Sequence, residues 1–275
     1  MATEYSDWFD AIRNEGYYVN GGRPVFEAYL SGTVTPEEAA TQMTLRDPSR
    51  KLPAHTKIGR VWNLLLFCAE DCPSGYGTII DLLRAISVLP KTTERGAVDW
   101  TDNDARTAWG WLWRDSHDSL WSDTISKSRA DRGLATIPLS QKWSNFQAFS
   151  AACVTAKIMG MDNEVFFALI LIVNVLEKER TVAELEMNAP AVAQWLLLAG
   201  KSIFNQKAEK CENADCAWDR ESELWKGKRG YSRERWIFWK ERWVVLAGMD
   251  GLCEEMRETC RKVVVAMGKV ERAKK

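Results

Sequence analysis

His117 and Asp118, adjacent in "AWGWLWRDSHDSLW", are the residues of this sequence whose types most directly suit a metal ion. A neighbouring imidazole and carboxylate can share a divalent cation in a helical phosphohydrolase, provided a separate upstream histidine and a downstream aspartate complete the set. His55 is the only other histidine, and nothing marks a partner aspartate, so no metal is expected. Two cysteine pairs raise the same question. Cys68 and Cys72 lie one helical turn apart in "CAEDC", and Cys211 and Cys216 lie in "CENADC". Four thiolates could hold zinc, but these spacings suit a zinc ribbon poorly and the halves are far apart. "AGKS", Ala199–Ser202, has the end of a phosphate-binding loop without its earlier glycine, since Trp195 stands in that place. There is no nucleophile elbow and no aspartate-rich helix of the kind used for terpenoid diphosphates. No cofactor is implied.

The most distinctive stretch is "GYSRERWIFWKERW", Gly230–Trp243, with three tryptophans in eight residues and basic residues between them. On a helix capped by Ser232, the residues Trp236, Trp239, Trp243 and Leu246 form one stripe. Ile237 and Val244 widen it, while Phe238 and Val245 lie on the other side, so the helix is expected to bury two faces. Such a stripe is core, the wall of a small-molecule pocket, or a nucleic-acid platform. Glu234 and Glu241 dilute any basic groove, which argues against nucleic acid. Lys240 falls at the margin of the stripe and must snorkel, stack on a ring, or pair with a carboxylate. Arg235, Trp236, Trp239, Lys240 and Trp243 are therefore candidate ligand-binding residues. Trp113 and His117 join them from the second aromatic cluster, where Trp109, Leu112, Trp113 and Leu120 share a stripe and Trp111 points away. Asp115 and Asp118 lie on the far side of that helix.

The elements that must position these residues all read as helices, and no alternating strand is present. "TPEE" starts one, with Thr35 as N-cap, Pro36 in the first turn and Glu38 closing a capping box. Further helices are predicted over Glu4–Glu15, Thr56–Cys72, Gly75–Val88, Asp104–Trp121, Leu139–Met159, Asn163–Glu177, Ala189–Gln206, Ser232–Leu246 and Leu252–Val270. Pro90–Thr101, Arg129–Pro138 and the polar stretch Lys210–Gly230 read as connections. The run "VFFALILIVNVL", Val165–Leu176, is apolar all round and is expected to be central and almost fully buried. Asn174 within it needs a backbone carbonyl or a charged neighbour. Cys253 and Cys260, seven residues apart, read as one core-facing pair. The expected fold is all-α, an irregular bundle of about ten helices in one domain, with a division near residues 125–138 as the alternative.

Composition narrows the partners. Lys plus Arg is 37 against 38 for Asp plus Glu, so no global field attracts nucleic acid or anionic lipid. The twelve-residue apolar run falls short of the roughly 20 residues a membrane span needs. The acidic, amphipathic start lacks the pattern of a secretory signal, which places the chain in the cytoplasm with reduced cysteines. Fourteen tryptophans suggest a core, a pocket or an interface.

Leu224–Trp243, "QKWSNFQAFSAACV" at Gln141–Val154 and "APAVAQWLLLAG" at Ala189–Gly200 resemble a fungal family catalogued only as a domain of unknown function. The likeness runs from about Ile58 to Met267, and its most specific part is Gly-aromatic-Ser-x-x-Arg-Trp-x-x-Trp-Lys. It implies an all-helical fungal protein, some of whose relatives sit beside secondary-metabolite genes, and it implies no catalytic residues. Two functions remain. One is a non-catalytic binding or interaction protein, taking a small apolar molecule or another protein. The other is a cofactor-independent cyclase or isomerase acting on an apolar metabolite, with Arg235, Lys240, Asp115 or His117 as its polar groups.

Overall fold

The computed structural model describes residues 2–12, 22–44, 54–72, 76–89, 103–126, 137–158, 165–206, 222–227 and 230–273. Among these residues there are twelve α-helices and no strand, an all-α fold. The side chain of His55 and the thiols of Cys211 and Cys216 lie outside the described residues, as do most of the connections at Pro90–Thr101, Arg129–Pro138 and Lys210–Gly230. The chain divides into two compact units, Met1–Phe149 with Ala156–Gly160, and Ser150–Thr155 with Met161–Lys275.

The first unit contains α1 (Ala2–Ala11), α2 (Arg23–Leu30), α3 (Pro36–Thr44), α4 (Ala54–Asp71), α5 (Tyr76–Ser87), α6 (Asn103–Ser126) and most of α7 (Leu139–Ala156). Its α3 starts as "TPEE" predicts. The Thr35 amide donates to Glu38 at 2.8 Å, and the Glu38 amide donates to the Thr35 hydroxyl at 3.2 Å. Helix α2 is an addition to the sequence reading. Its N-cap is Gly22 in the left-handed region at φ 113°, with no side-chain cap to announce it. Aromatic rings fill the core: Trp62 meets Trp109 edge-on at 5.1 Å, and Trp113 stacks on Phe146 at 5.7 Å. A buried ion pair sits among them. Asp71 accepts from Trp8 Nε1 at 3.0 Å and pairs with Lys142 at 2.8 Å.

The second unit contains the end of α7, then α8 (Val165–Leu176), α9 (Val182–Leu198), α10 (Gly200–Phe204), α11 (Arg233–Ala247) and α12 (Glu254–Arg272). Eight of the twelve residues of α8 are buried, Leu169 and Leu171 among them, as an apolar helix must be. Asn174 finds both kinds of partner, donating to Ile170 O at 3.0 Å and accepting from Lys178 at 2.7 Å.

Three local readings need correction. Helix α9 begins at Val182, not Ala189, because a Thr181–Glu184 capping box starts it and Pro190 sits inside it. The helix expected through Gln206 is broken at Ala199, where φ is −114°, into α9 and α10. Cys260 is buried, but Cys253 is exposed, since it stands at the extended N-cap of α12 where helical spacing does not yet apply.

Candidate functional site

Helix α11 positions the tryptophan stripe. Ser232 caps it, its hydroxyl accepting from the Arg235 amide at 3.0 Å. Trp236, Trp239, Trp243 and Leu246 are buried on one face. The flanking residues do not bury: Ile237 and Val244, expected to widen the stripe, are 49% and 55% exposed, and on the other side Val245 is 56% exposed while Phe238 is half-buried. The stripe docks the helix, and of these flanking apolar residues only Phe238 is covered in part, by the Trp225 ring at 5.4 Å.

Arg235 is fully buried, although a guanidinium is among the groups hardest to desolvate. Its compensation is Glu177, just past the end of α8 and also buried. Arg235 donates to the Glu177 carboxylate through Nε at 2.6 Å and Nη2 at 2.8 Å, a bidentate fork. Trp239 Nε1 at 2.7 Å and the Ser222 hydroxyl at 2.8 Å donate to the same carboxylate. The third guanidinium nitrogen donates to Gly230 O at 3.0 Å. Gly230 itself lies at φ 66°, a conformation that disfavours any side chain. Tyr231 donates through its hydroxyl to Val165 O at 2.6 Å. Tyr231, Arg235 and Trp239 of the Gly-Tyr-Ser-x-x-Arg-Trp-x-x-Trp pattern thus tie the N-terminal half of α11 to the protein, while Ser232 caps it.

Lys240 is held in the same way. Its ammonium reaches both oxygens of Glu271 on α12 at 2.6 Å, and Trp236 Nε1 donates to that carboxylate at 3.1 Å. Arg233 lies over the ring of Phe204 at 4.3 Å. Trp243 is fully buried, and its indole N–H has no acceptor among the described residues.

Trp113 and His117 belong to the first unit and sit side by side on α6, with ring centroids 5.3 Å apart. His117 is buried, with Trp143 edge-on at 5.2 Å. Its Nδ1 lies 3.0 Å from Asp118 Oδ1, and since a carboxylate can only accept, Nδ1 carries the proton. Burial lowers the imidazole pKa, and the Asp118 hydrogen bond offsets part of that. Asp115 and Asp118 are exposed. Among the described residues no three His, Cys, Asp or Glu side chains converge as metal ligands would.

A different part of α11 borders open space. A cleft of about 280 Å³ lies where its C-terminal end faces the start of α9 and the α8–α9 connection. Leu185, Val245, Leu246 and Met249 supply apolar surface, and Glu179, Arg180 and Arg242 supply charge. Both arginines are oriented by the end of α8. Arg180 Nε donates to Asn174 O at 2.8 Å, and Arg242 Nε to Leu176 O at 3.1 Å, serving carbonyls that the helix leaves unbonded. Arg180 also pairs with Glu184 at 3.2 Å. Glu184 in turn is held below the usual carboxylate range, first by the Thr181 amide and hydroxyl of the capping box and then by Arg180.

The sequence reading missed Glu177, Glu271, Arg180 and Arg242. Glu177 and Glu271 pair with residues 58 and 31 positions away, a separation at which no local pattern reports them. Arg180 stands in the α8–α9 connection and Arg242 within α11, both outside the tryptophan stripe.

The helices and their clusters define an all-α protein with a tryptophan-rich, ion-paired core. More narrowly, residues 62–243 match the family described as protein of unknown function (DUF3632), and the chain belongs to that family. No curated protein and no solved structure matches it. Among the described residues no helix is long and apolar enough to cross a membrane.

Proposed function

We propose that this protein is a non-catalytic binding protein whose second unit takes a small apolar molecule in the cleft beside α11. The supporting observation is a division of labour along one helix. The polar groups of its N-terminal half are spent on protein partners, Arg235 with all three nitrogens and Lys240 with both oxygens of Glu271. The C-terminal end instead presents Val245, 56% exposed, at the edge of a recess. A pocket of this size lies at the lower limit for organic ligands and suits a small one. The reading goes with an intracellular setting in fungal secondary metabolism.

The test is titration of the whole chain with an environment-sensitive apolar dye. Saturable binding is expected. Val245→Glu should weaken it about ten-fold or more, the worth of one apolar contact plus a misplaced charge. Ile237→Glu, away from the cleft lining, should leave it unchanged. No saturable binding, or binding indifferent to Val245→Glu, refutes the reading. Equal sensitivity at both positions would point to a broad protein-docking face instead.

A further inference from the structure

We infer that the ligand of this cleft carries a carboxylate, seated on Arg242. The inference rests on the reading of the cleft as a binding site and adds the chemistry of what binds. Of the charged groups around it, Glu184 is engaged by Arg180 and by Thr181, and Arg180 has spent Nε and Nη1. Arg242 has spent only Nε, on Leu176 O. Its two terminal nitrogens, the pair that forms a fork on a carboxylate, have no acceptor among the described residues. Arg242 is half-buried and its Nε bond fixes the plane of the guanidinium, so little side-chain freedom is lost when an anion docks. Capping α8 would need no more than that one nitrogen.

Val245 follows Arg242 by one turn and Leu246 by four residues, so an apolar wall stands beside the cation on the same helix. Met249 and Leu185 extend it. The arrangement matches a molecule with a charged head and a short apolar body. Glu179 also lines the cleft. Arg180 is paired with Glu184, whereas Arg242 makes no ion pair among the described residues, so a single negative charge can be seated on it. A dianionic phosphate would bring a second charge against Glu179, which favours a carboxylate.

Hexanoate, hexanol and hexyl phosphate, each displacing the bound apolar dye from the full chain, test this. Hexanoate should compete about ten-fold better than hexanol, the gain expected of one charge-assisted fork, and better than hexyl phosphate. Arg242→Gln should bring hexanoate down to the level of hexanol and leave hexanol unchanged. Arg242→Lys, which keeps the charge without the fork, should fall between. Equal competition by hexanoate and hexanol, or hexanoate affinity untouched by Arg242→Gln, overturns the inference while the dye result still supports a binding cleft. Stronger competition by hexyl phosphate overturns the carboxylate in favour of a phosphate. A chain that takes up no dye overturns the binding reading and this inference together. Should Arg242→Gln fail to fold, the hexanoate–hexanol comparison on the native chain decides the matter.

Discussion

Replacing Glu177 by Gln removes one charge and almost no volume, and it should be among the most damaging substitutions in the second unit. The carboxylate receives four donors, two from Arg235 and one each from Trp239 and Ser222, in a place with no access to water. A carboxamide leaves one oxygen for those donors and turns an NH₂ toward the rest. Arg235 then stays buried without a counter-charge, which costs about 3–5 kcal/mol. Global stabilities run to about 5–15 kcal/mol, so a large share is lost. The melting temperature should fall by roughly 6–20 °C. Hydrogen exchange followed by mass spectrometry should find the loss of protection centred on α8 and α11. Glu177→Leu combined with Arg235→Met removes both charges. It still strands Trp239 Nε1 and the Gly230 carbonyl, at about 1–3 kcal/mol each, yet the double variant should be no worse than Glu177→Gln. The two effects should therefore be non-additive by more than about 2 kcal/mol. A Glu177→Gln protein within about 1 kcal/mol of the parent, or a double variant equal to the sum of its parts, would show that the pair does not hold the unit together.

Trp236→Ala should cost about 3–5 kcal/mol by chemical denaturation, because the ring is buried against Phe204 at 5.0 Å and a cavity replaces it; a loss under about 1 kcal/mol would mean an exposed ring. Lys240→Met should cost about 1 kcal/mol or less in the same assay, since both it and Glu271 keep about a quarter of their side-chain surface in water. Gly230→Ala should lose about 1–2 kcal/mol from the positive φ alone, an effect that Gly230→D-Ala made by ligation would not share. His117 has a folded pKa below its unfolded one, so stability is complete above the unfolded value near 6.5 and declines as pH falls below it, where the unfolded chain takes up the proton first. With two histidines in the chain, a proton NMR titration reads this directly, and Asp118→Asn, which removes a raising contact, should lower the pKa further.

The helical class was legible because its signals are local. The Thr35–Glu38 box, the Ser232 cap and the all-round apolar run of α8 each name an element from a few residues. Where a signal was absent or contradicted, the reading slipped. Gly22 caps α2 through its backbone alone, and Pro190 resembles a first-turn proline although Thr181 had already started α9. The tryptophan stripe was read as an interior face and is one, but the extra apolar residues around it suggested a second buried face that α11 does not have. That Lys240 needs a partner was legible from its place at the stripe's margin, but which carboxylates answer Lys240 and Arg235 was not. A sequence shows that Arg235 lies among tryptophans, but only a folded chain brings Glu177 to it.

The separation between those two residues is also a delay. Residues leave a ribosome at about 5–20 per second, so Arg235 follows Glu177 by 58 residues and roughly 3–12 s. During that interval the apolar α8 has been made and the helix that covers its end has not. A nascent or truncated chain ending before Arg235 holds the Glu177 carboxylate without its counter-charge beside a twelve-residue apolar segment. Such a chain is a natural client for a chaperone, and shortened forms lacking α11 should be recovered as aggregates, not as smaller folded proteins.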